Sequence, residues 1–229
     1  MDGDHVLILG ASRGLGLEIA KITFDLGAIN IKASSSLTDG RKLVDARIRK
    51  IYLKCDLSSL DSTRDFLTRL ETQDRPVDRF FWVAGSLLKG DFSTQTAEQI
   101  VSTIDVKFRN SALVAHYVWK KMQTSGNGNS FTVVASSSGV RARSDEAIYV
   151  ATKHAQVGFA RSLGLENHSP TLKISLFLPG GMKTPLWDDR RPDDYGHFLD
   201  PAKVAHKIVA TVLDQKASFV EVEIPRGSL

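Results

Sequence analysis

Three glycines follow the first apolar run of the chain, and their spacing restricts what this segment can form. The run 6–9 ends at Gly10, Gly14 and Gly16 come next, and apolar residues then recur at helical spacing from Leu15. This pattern predicts a strand, a tight loop and a helix. Glycines at such a junction let a phosphate approach the backbone N–H groups at the helix N-terminus. The stretch therefore predicts a dinucleotide-binding loop, and a glycine-rich turn without a ligand is the alternative.

The rest of the chain alternates strands with helices, without internal repeats or low-complexity tracts. This alternation indicates an α/β fold with one doubly wound parallel sheet of about seven strands and helices on both faces. We predict a single domain over residues 1–229, with ligands beyond the carboxyl ends of the strands. After the first strand, the predicted strands are 28–33, 49–53, 77–84, 130–135, 173–178 and 219–224, and the predicted helices begin near 58 or span 96–122, 147–166 and 201–213.

Composition and charge argue against several other classes of protein. The chain carries 30 Lys and Arg against 26 Asp and Glu, a net charge of +4 without a dense basic run, so nucleic acid is not the expected partner. The single cysteine, Cys55, fits a reducing cytoplasm and the role of a small apolar filler. The sequence has no signal-peptide pattern, no apolar run of 18 residues and no paired histidines. We therefore expect a cytoplasmic protein with neither a membrane span nor a metal site.

Three residues that can carry chemistry lie near the predicted carboxyl edge of the sheet. Ser136 follows the fifth strand, and Tyr149 and Lys153 open the next helix four residues apart, so that they share a helix face. A free phenol has a pKa of about 10. A nearby ammonium favours the phenolate and is expected to bring the pKa of Tyr149 towards neutral. A surface tyrosine beside a solvated lysine is the structural alternative.

The glycine spacing, together with Ser136 placed 13 residues before Tyr149, resembles the short-chain dehydrogenase/reductase family over essentially the whole chain. The resemblance implies that Ser136 binds the substrate oxygen, that Tyr149 is the general acid and base, and that Lys153 holds the nicotinamide ribose. It also implies hydride transfer between a nicotinamide cofactor and a carbonyl carbon, with the protein fixing the relative positions of the reactants and the electric field around them. A homodimer or homotetramer is implied as well, through the helices that contain Lys107 and Tyr149.

Other positions match the cofactor-binding segments of that family. Asp56 and Leu57 resemble the pair at the adenine, Ala84 with Gly85 the end of the N-A-G motif, and PGGMKT the segment that closes over the nicotinamide. A helix-start carboxylate and an ordinary turn are the structural alternatives for the first and the last of these. The cofactor-binding residues predicted in this way are Gly10, Ser12, Arg13, Gly14, Leu15, Gly16, Ser34, Ser35, Asp56, Leu57, Ala84, Gly85, Tyr149, Lys153, Pro179, Gly180, Met182 and Thr184.

Two positions depart from the family pattern. Trp82 and Val83 replace the asparagines of N-N-A-G, so apolar packing is expected where the family has a polar tie. Lys107, in IDVKFRN, stands where the family has its catalytic asparagine. Its ammonium could relay protons, repel Lys153 or face solvent, and the sequence does not decide between these roles.

The residues after the second strand favour NADP over NAD as the cofactor. NAD sites place an Asp or Glu there to bind the ribose 2′-hydroxyl, whereas this chain has Ala33 followed by serines at 34–36. The serines can donate to a 2′-phosphate, and Arg13 can pair with it. Asp39 lies close enough in sequence to count against this preference, and a solvated Arg13 is the alternative.

Together these features predict an NADP-dependent carbonyl reductase or alcohol dehydrogenase that acts on a small molecule. The alternative is a dinucleotide-binding sensor or assembly protein with little turnover, for which Lys107 is the main argument. Residues 185–199 are predicted to form a short substrate lid. In this lid Trp187, Tyr195 and Phe198 either line the substrate pocket or pack on their own loop.

Overall fold

A parallel β-sheet forms the centre of the structure, a computed structural model that describes residues 1–35, 52–73, 75–125, 128–188 and 191–229. Its strands are β1 (His5–Leu9), β2 (Ile29–Ser34), β3 (Tyr52–Lys54), β4 (Arg79–Trp82), β5 (Ser130–Val134), β6 (Lys173–Pro179) and β7 (Phe219–Ile224). They lie in the order β3-β2-β1-β4-β5-β6-β7, and each neighbouring pair is parallel. The doubly wound sheet expected from the sequence is therefore confirmed.

Helices cover both faces of this sheet. They are α1 (Gly14–Asp25), α2 (Leu60–Glu71), α3 (Ala97–Ile104), α4 (Asn110–Thr124), α5 (Ala147–Glu166) and α6 (Pro201–Asp214). Successive residues of β1 point to opposite faces, because side chains alternate along a strand. Val6 and Ile8 pack with residues of α1 and α6, whereas Leu7 and Leu9 pack with residues of α2, α4 and α5. Both faces are thus buried, which is why the central strands are almost entirely apolar.

Several strands differ from their predicted bounds, and β5 and β6 each do so by one residue at the C-terminal end. β4 is Arg79–Trp82, shorter than the predicted 77–84, and β2 is shifted by one residue towards the C-terminus. Val77 and Ala84 are buried although they lie outside β4, so hydropathy alone extends the strand at both ends. The predicted third strand at 49–53 falls partly outside the described residues, which begin again at Tyr52.

The long helical region predicted over 96–122 is present, and a π-helical turn at Asp105–Arg109 lies within it, between α3 and α4. Side chains bind carbonyl groups in this turn. The Ser111 hydroxyl donates to the carbonyl five residues earlier at 2.7 Å, and Gln156 Nε2 donates to the Lys107 carbonyl at 2.9 Å. Such turns are frequent at functional sites, and this one contains Lys107.

Aromatic packing surrounds Trp82 at the end of β4. The Trp82 side chain is fully buried, and its ring centroid lies 6.2 Å from that of Phe108 and 5.6 Å from that of Phe159. Apolar packing thus occupies the position where the family has an asparagine, as the sequence predicts. Within the described part of the chain, none of the helices combines the length and apolar character that a membrane crossing requires.

Candidate active site

The glycine loop joins β1 to α1 at the carboxyl edge of the sheet. Gly10 has a φ of +97°, and a Cβ at this position would lie 2.6 Å from the Cα of Ala84. A Cβ on Gly16 would overlap the carbonyl oxygen of Gly10. The backbone here therefore has room only for glycine. As a result, α1 begins close to the end of β4, with the N–H groups of its first turn beside a cleft that an anion can enter.

That cleft has a volume of about 280 Å³ and extends from the glycine loop to Tyr149. Of the residues predicted to bind cofactor, all except Pro179 and Gly180 line it. It is also lined by strand-end and loop residues that were not predicted as cofactor-binding, namely Ala33, Cys55, Val83, Val106, Lys107, Val134, Ala135, Pro185 and Leu186. For most of these residues, their position in the sequence could have indicated them, since they lie at or near the ends of predicted strands and ligands in this class of fold bind at the carboxyl ends of the strands.

A smaller cavity of about 100 Å³ adjoins the cleft and shares Tyr149 with it. Ser136 lies in this smaller cavity, together with Pro179 and Gly180. The Ser136 Oγ accepts a hydrogen bond from the Ser138 backbone N–H at 3.1 Å, which fixes the hydroxyl at the end of β5. Tyr149 therefore stands between the two spaces, with the glycine loop on one side and Ser136 on the other.

Burial dominates the acidity of Tyr149. It raises the pKa of Tyr149 to about 12, while hydrogen bonding with Ser136 lowers this pKa and the negative charge of Glu146 raises it. The expectation that a neighbouring ammonium brings this pKa towards neutral is not met by the chain's own residues. The phenol is consequently protonated at neutral pH, which is the form that can donate a proton.

Lys153 directs its amine to acceptors other than the phenol. Its Nζ donates to Gln156 Oε1 at 2.8 Å and to the Val134 carbonyl at 3.3 Å. The side chain is buried, and burial lowers the pKa of Lys153 to about 7. The amine is thus held at the wall of the cleft in an environment that disfavours its charge.

Lys107 does not face solvent, because only 1% of the residue is exposed. Its Nζ lies 4.1 Å from the centroid of the Tyr149 ring. Burial holds the pKa of Lys107 well below its usual range, the positive charge of Lys153 lowers it further, and Glu146 opposes both effects. Of the three roles left open by the sequence, the solvent-facing one does not fit this burial, and any positive charge on Lys153 disfavours a charge on Lys107.

Gln156 connects the two lysines and was missed by the sequence analysis. It is fully buried, accepts a hydrogen bond from Lys153 and donates one to the carbonyl of Lys107. The one sequence feature that could have indicated it is its position three residues after Lys153, which places its amide on the same helix face. Nothing in the sequence indicates that the other partner is a carbonyl 49 positions earlier.

The end of β2 presents polar groups to the far end of the cleft. Ser34, Ser35 and Arg13 all line it, and Arg13 is exposed. Within the described residues, the Arg13 guanidinium makes no hydrogen bond or ion pair. Asp39 and the third serine of the run, at position 36, lie outside the described residues.

The predicted lid contains two short 3₁₀ turns, Pro185–Trp187 and Asp193–His197, and residues 189–190 lie outside the described part. The ring centroid of Phe198 lies 5.1 Å from that of Trp187 and 5.2 Å from that of Tyr195. Trp187 also lines the smaller cavity. Each of the two interpretations of the lid aromatics therefore applies to part of the set. Trp187 lines the cavity, whereas Tyr195 and Phe198 pack on their own loop.

The smaller cavity also contains charged groups from two parts of the chain, Arg143 and Glu146 in the loop before α5 and Arg226 after β7. Glu146 is 8% exposed, and burial raises the pKa of its carboxyl group, while the charges of Lys89, Arg143 and Arg226 lower it. Arg226 forms an ion pair with Asp194 in the lid. A substrate entering here meets both signs of charge beside the hydroxyl groups of Ser136 and Tyr149.

Comparison with known proteins decides the family. The sequence model described as short chain dehydrogenase matches residues 4–195. The chain belongs to this family. Its relatives include (+)-cis,cis-nepetalactol synthase of Nepeta racemosa, 24% identical over 216 residues and covering 88% of this chain and 77% of that protein. Another is the 3-oxoacyl-[acyl-carrier-protein] reductase of Homo sapiens, 23% identical over 210 residues and covering 88% of each protein.

Solved structures of the short-chain dehydrogenase fold match the whole chain. An actinorhodin polyketide ketoreductase solved with NADPH has a TM-score of 0.85 and 20% identity, covering 100% of this chain and 99% of that one. The enzymes of the family are NAD(P)-dependent oxidoreductases, so the membership predicted from the sequence and the NAD(P)-dependent class of enzyme are both confirmed. The matched range 4–195 contains the glycine loop, Ser136, Tyr149 and Lys153.

Gln156→Leu in this short-chain dehydrogenase is expected to lower the free energy of unfolding by about 1–3 kcal/mol. The leucine leaves the Lys153 amine and the Lys107 carbonyl each without one partner, and unpaired buried polar groups cost about that much. Urea unfolding followed by circular dichroism measures the effect. Gln156→Glu keeps the acceptor for Lys153 but loses the donor to Lys107, so it should recover part of the loss. A stability equal to that of the native chain in both variants would contradict the bridging role.

Proposed function

We propose that this short-chain dehydrogenase is a carbonyl reductase that uses NADPH. In this proposal Ser136 orients the substrate oxygen, Tyr149 donates the proton and Lys153 holds the nicotinamide ribose. The observation that carries it is the position of Tyr149, which lines both the cleft leading to the glycine loop and the cavity containing Ser136. One residue with a proton-donating hydroxyl thus lies between the space for a dinucleotide and the space for a substrate oxygen.

The residues of the cleft fit a dinucleotide. Gly10 and Gly16 leave space at the start of α1 that a Cβ would fill, as a diphosphate at a helix N-terminus requires. Asp56 is the one carboxylate among the described residues that line the cleft, and its Oδ1 accepts hydrogen bonds from the backbone N–H and hydroxyl of Ser58. Little negative charge in the described lining therefore opposes the phosphates.

The chain's own groups perform the proton chemistry. The nicotinamide ring, when bound, supplies the hydride. Because the pKa of Tyr149 is about 12, its hydroxyl is protonated and can donate to the oxygen of the carbonyl group as negative charge develops there. The Ser136 hydroxyl donates to the same oxygen and fixes its direction. Lys153, when protonated, donates to ribose hydroxyls and favours the phenolate that remains.

Arg13 supports NADPH rather than NADH as the cofactor. Its guanidinium has no partner among the described residues and lines the cleft beside Ser34 and Ser35. A planar guanidinium binds phosphate through paired hydrogen bonds, which suits a ribose 2′-phosphate. The related actinorhodin ketoreductase was solved with NADPH, consistent with this choice.

Arg13→Gln is expected to weaken NADPH binding by about tenfold or more, because a hydrogen bond to a charged group contributes about 1.5–3 kcal/mol. NADH binding should change by less than about twofold, since NADH lacks the 2′-phosphate. Fluorescence titration with each cofactor gives the two dissociation constants. Arg64→Gln on the exposed face of α2 is the matched control. Equal weakening of both cofactors by Arg13→Gln would count against recognition of a 2′-phosphate.

The test of the function is oxidation of NADPH, followed by absorbance, with a panel of ketones and aldehydes. The panel should include neutral, hydroxylated and carboxylated compounds, because Arg143 and Glu146 both line the cavity of Ser136. We expect turnover of at least one class, with slower turnover when NADH replaces NADPH. Binding of NADPH without turnover of any compound, in either direction, would overturn the reductase assignment.

We also propose that the protein acts as a homodimer or homotetramer in the cytoplasm. Support comes from exposed apolar side chains on helices packed beside the site, Val101 and Ile104 on α3 and Leu113 on α4. Leu165 on α5 is 86% exposed. Light scattering of the full chain after size-exclusion chromatography tests the assembly, and a monomer at micromolar concentration would contradict it.

A further inference from the structure

Lys107 is a buried amine without a hydrogen-bonding or ion-pair partner among the described residues. The residue is 1% exposed, and within the described residues its Nζ makes no hydrogen bond and no ion pair. The side chain nevertheless lines the cleft. Burying an ionisable group without a hydrogen-bonding partner is costly, so such a group in a cleft indicates that something bound there completes its environment.

The position of the amine identifies the end of the cleft involved. Lys107 Nζ lies 4.1 Å from the centroid of the Tyr149 ring, and a Cβ built on Gly85 would be 3.2 Å from the same Nζ. Lys153 acts on it electrostatically. The amine is therefore in the part of the cleft that holds Tyr149 and Lys153, away from Arg13 and Ser34 at the end of β2.

The backbone under Lys107 is fixed in this orientation. The residue lies in the π-helical turn, and its carbonyl accepts the hydrogen bond from the buried Gln156. The same glutamine binds the Lys153 amine, so one side chain contacts both that amine and the backbone from which the Lys107 side chain extends. A donor that is held in place at the wall of a cleft can contribute to binding with little loss of side-chain entropy.

We infer that Lys107 is a ligand-binding residue whose Nζ forms a hydrogen bond with an oxygen of the nicotinamide half of the bound dinucleotide. This inference rests on the proposed binding of NADPH in the cleft. Lys107 and Lys153 then approach that half of the cofactor from different elements, the π-helical turn and α5. The residue that replaces the family's asparagine is on this view a binding group and not a passive substitution.

The experiment compares two ligands that share the adenosine end. NADPH contains the nicotinamide half, whereas adenosine 2′,5′-bisphosphate lacks it. Lys107→Met should raise the dissociation constant of NADPH by about tenfold or more, as expected for loss of a hydrogen bond from a charged or strongly polar donor. It should change the dissociation constant of adenosine 2′,5′-bisphosphate by less than about twofold. Isothermal titration calorimetry on the full chain measures both.

Two further variants separate binding from folding. Lys107→Gln keeps a donor on a shorter side chain and should lose less NADPH affinity than Lys107→Met. Lys120→Met, an exposed substitution on α4, is the matched control and should change neither constant. Equal loss for both ligands would mean a general disturbance of the cleft, and no loss for either would mean that the amine is not used. Each result overturns the inference alone, whereas failure of the native chain to bind NADPH overturns the proposed function as well.

Discussion

Tyr149→Phe is expected to lower kcat for carbonyl reduction by about 10²–10⁴-fold, the usual contribution of a positioned general acid. The variant removes one hydroxyl and keeps the ring against Lys107, so the dissociation constant of NADPH should change by less than about twofold. The reason for the large effect is the position of this hydroxyl. Tyr149 lines both the cleft and the cavity of Ser136, holds a proton at neutral pH and hydrogen-bonds with Ser136. Steady-state kinetics with the best carbonyl compound of the panel measures the change.

A second tyrosine provides the control for this experiment. Tyr195 lies in the lid and packs on Phe198, and Tyr195→Phe should leave kcat within about threefold of the native value. If Tyr149→Phe retained more than about a tenth of the native kcat, another group would have to supply the proton. Because the pKa of Tyr149 is about 12, loss of the phenol proton should not reduce the rate of reduction below about pH 11.

The parts of the site that follow local patterns could be predicted from the sequence. The glycine loop is set by backbone space at Gly10 and Gly16, and a missing Cβ can be read directly from the residue type. The spacing of Tyr149 and Lys153 on one helix needs only helical geometry. The sheet follows from the alternation of apolar runs with helical periodicity, which is why β7 and α5 lie at their predicted bounds.

The parts that depend on tertiary contacts could not be predicted. Lysine side chains are usually exposed, yet Lys107 is buried in the π-helical turn. The hydropathy pattern of the sequence does not indicate such a turn. Gln156 acquires its role only because α5 packs beside that turn. The pKa of Tyr149 depends on how deeply α5 buries the ring, so the ammonium four residues away was an insufficient guide.

Burial of Lys153 makes a second large effect predictable, because an amine buried at this position destabilises the fold. Its pKa is about 7 in the folded chain, against 10.5 for a free lysine. The unfolded chain therefore binds more protons between these two values, and stability rises with pH in that window. The cost of the buried amine is fully present below about pH 7 and disappears as the pH approaches 10.5.

Lys153→Met should consequently raise the free energy of unfolding at pH 7 by about 2–4 kcal/mol, which corresponds to roughly 5–15 °C in Tm for a chain of this size. The gain is smaller than the full desolvation cost because Gln156 Oε1 loses its partner. The native chain should regain about 2 kcal/mol relative to this variant between pH 7 and pH 9. Urea unfolding at several pH values measures the difference, with Lys120→Met as the exposed control.

A stability difference between Lys153→Met and the native chain that stays constant with pH would mean that the amine is not desolvated. The same substitution is expected to abolish turnover while it stabilises the fold, and this opposition is informative. Replacing a residue that is kept for packing alone would lower the stability of the protein. Replacing a buried amine that serves to bind a cofactor should instead raise the stability of the cofactor-free protein. Opposite signs for stability and activity at Lys153 would therefore assign its burial to function.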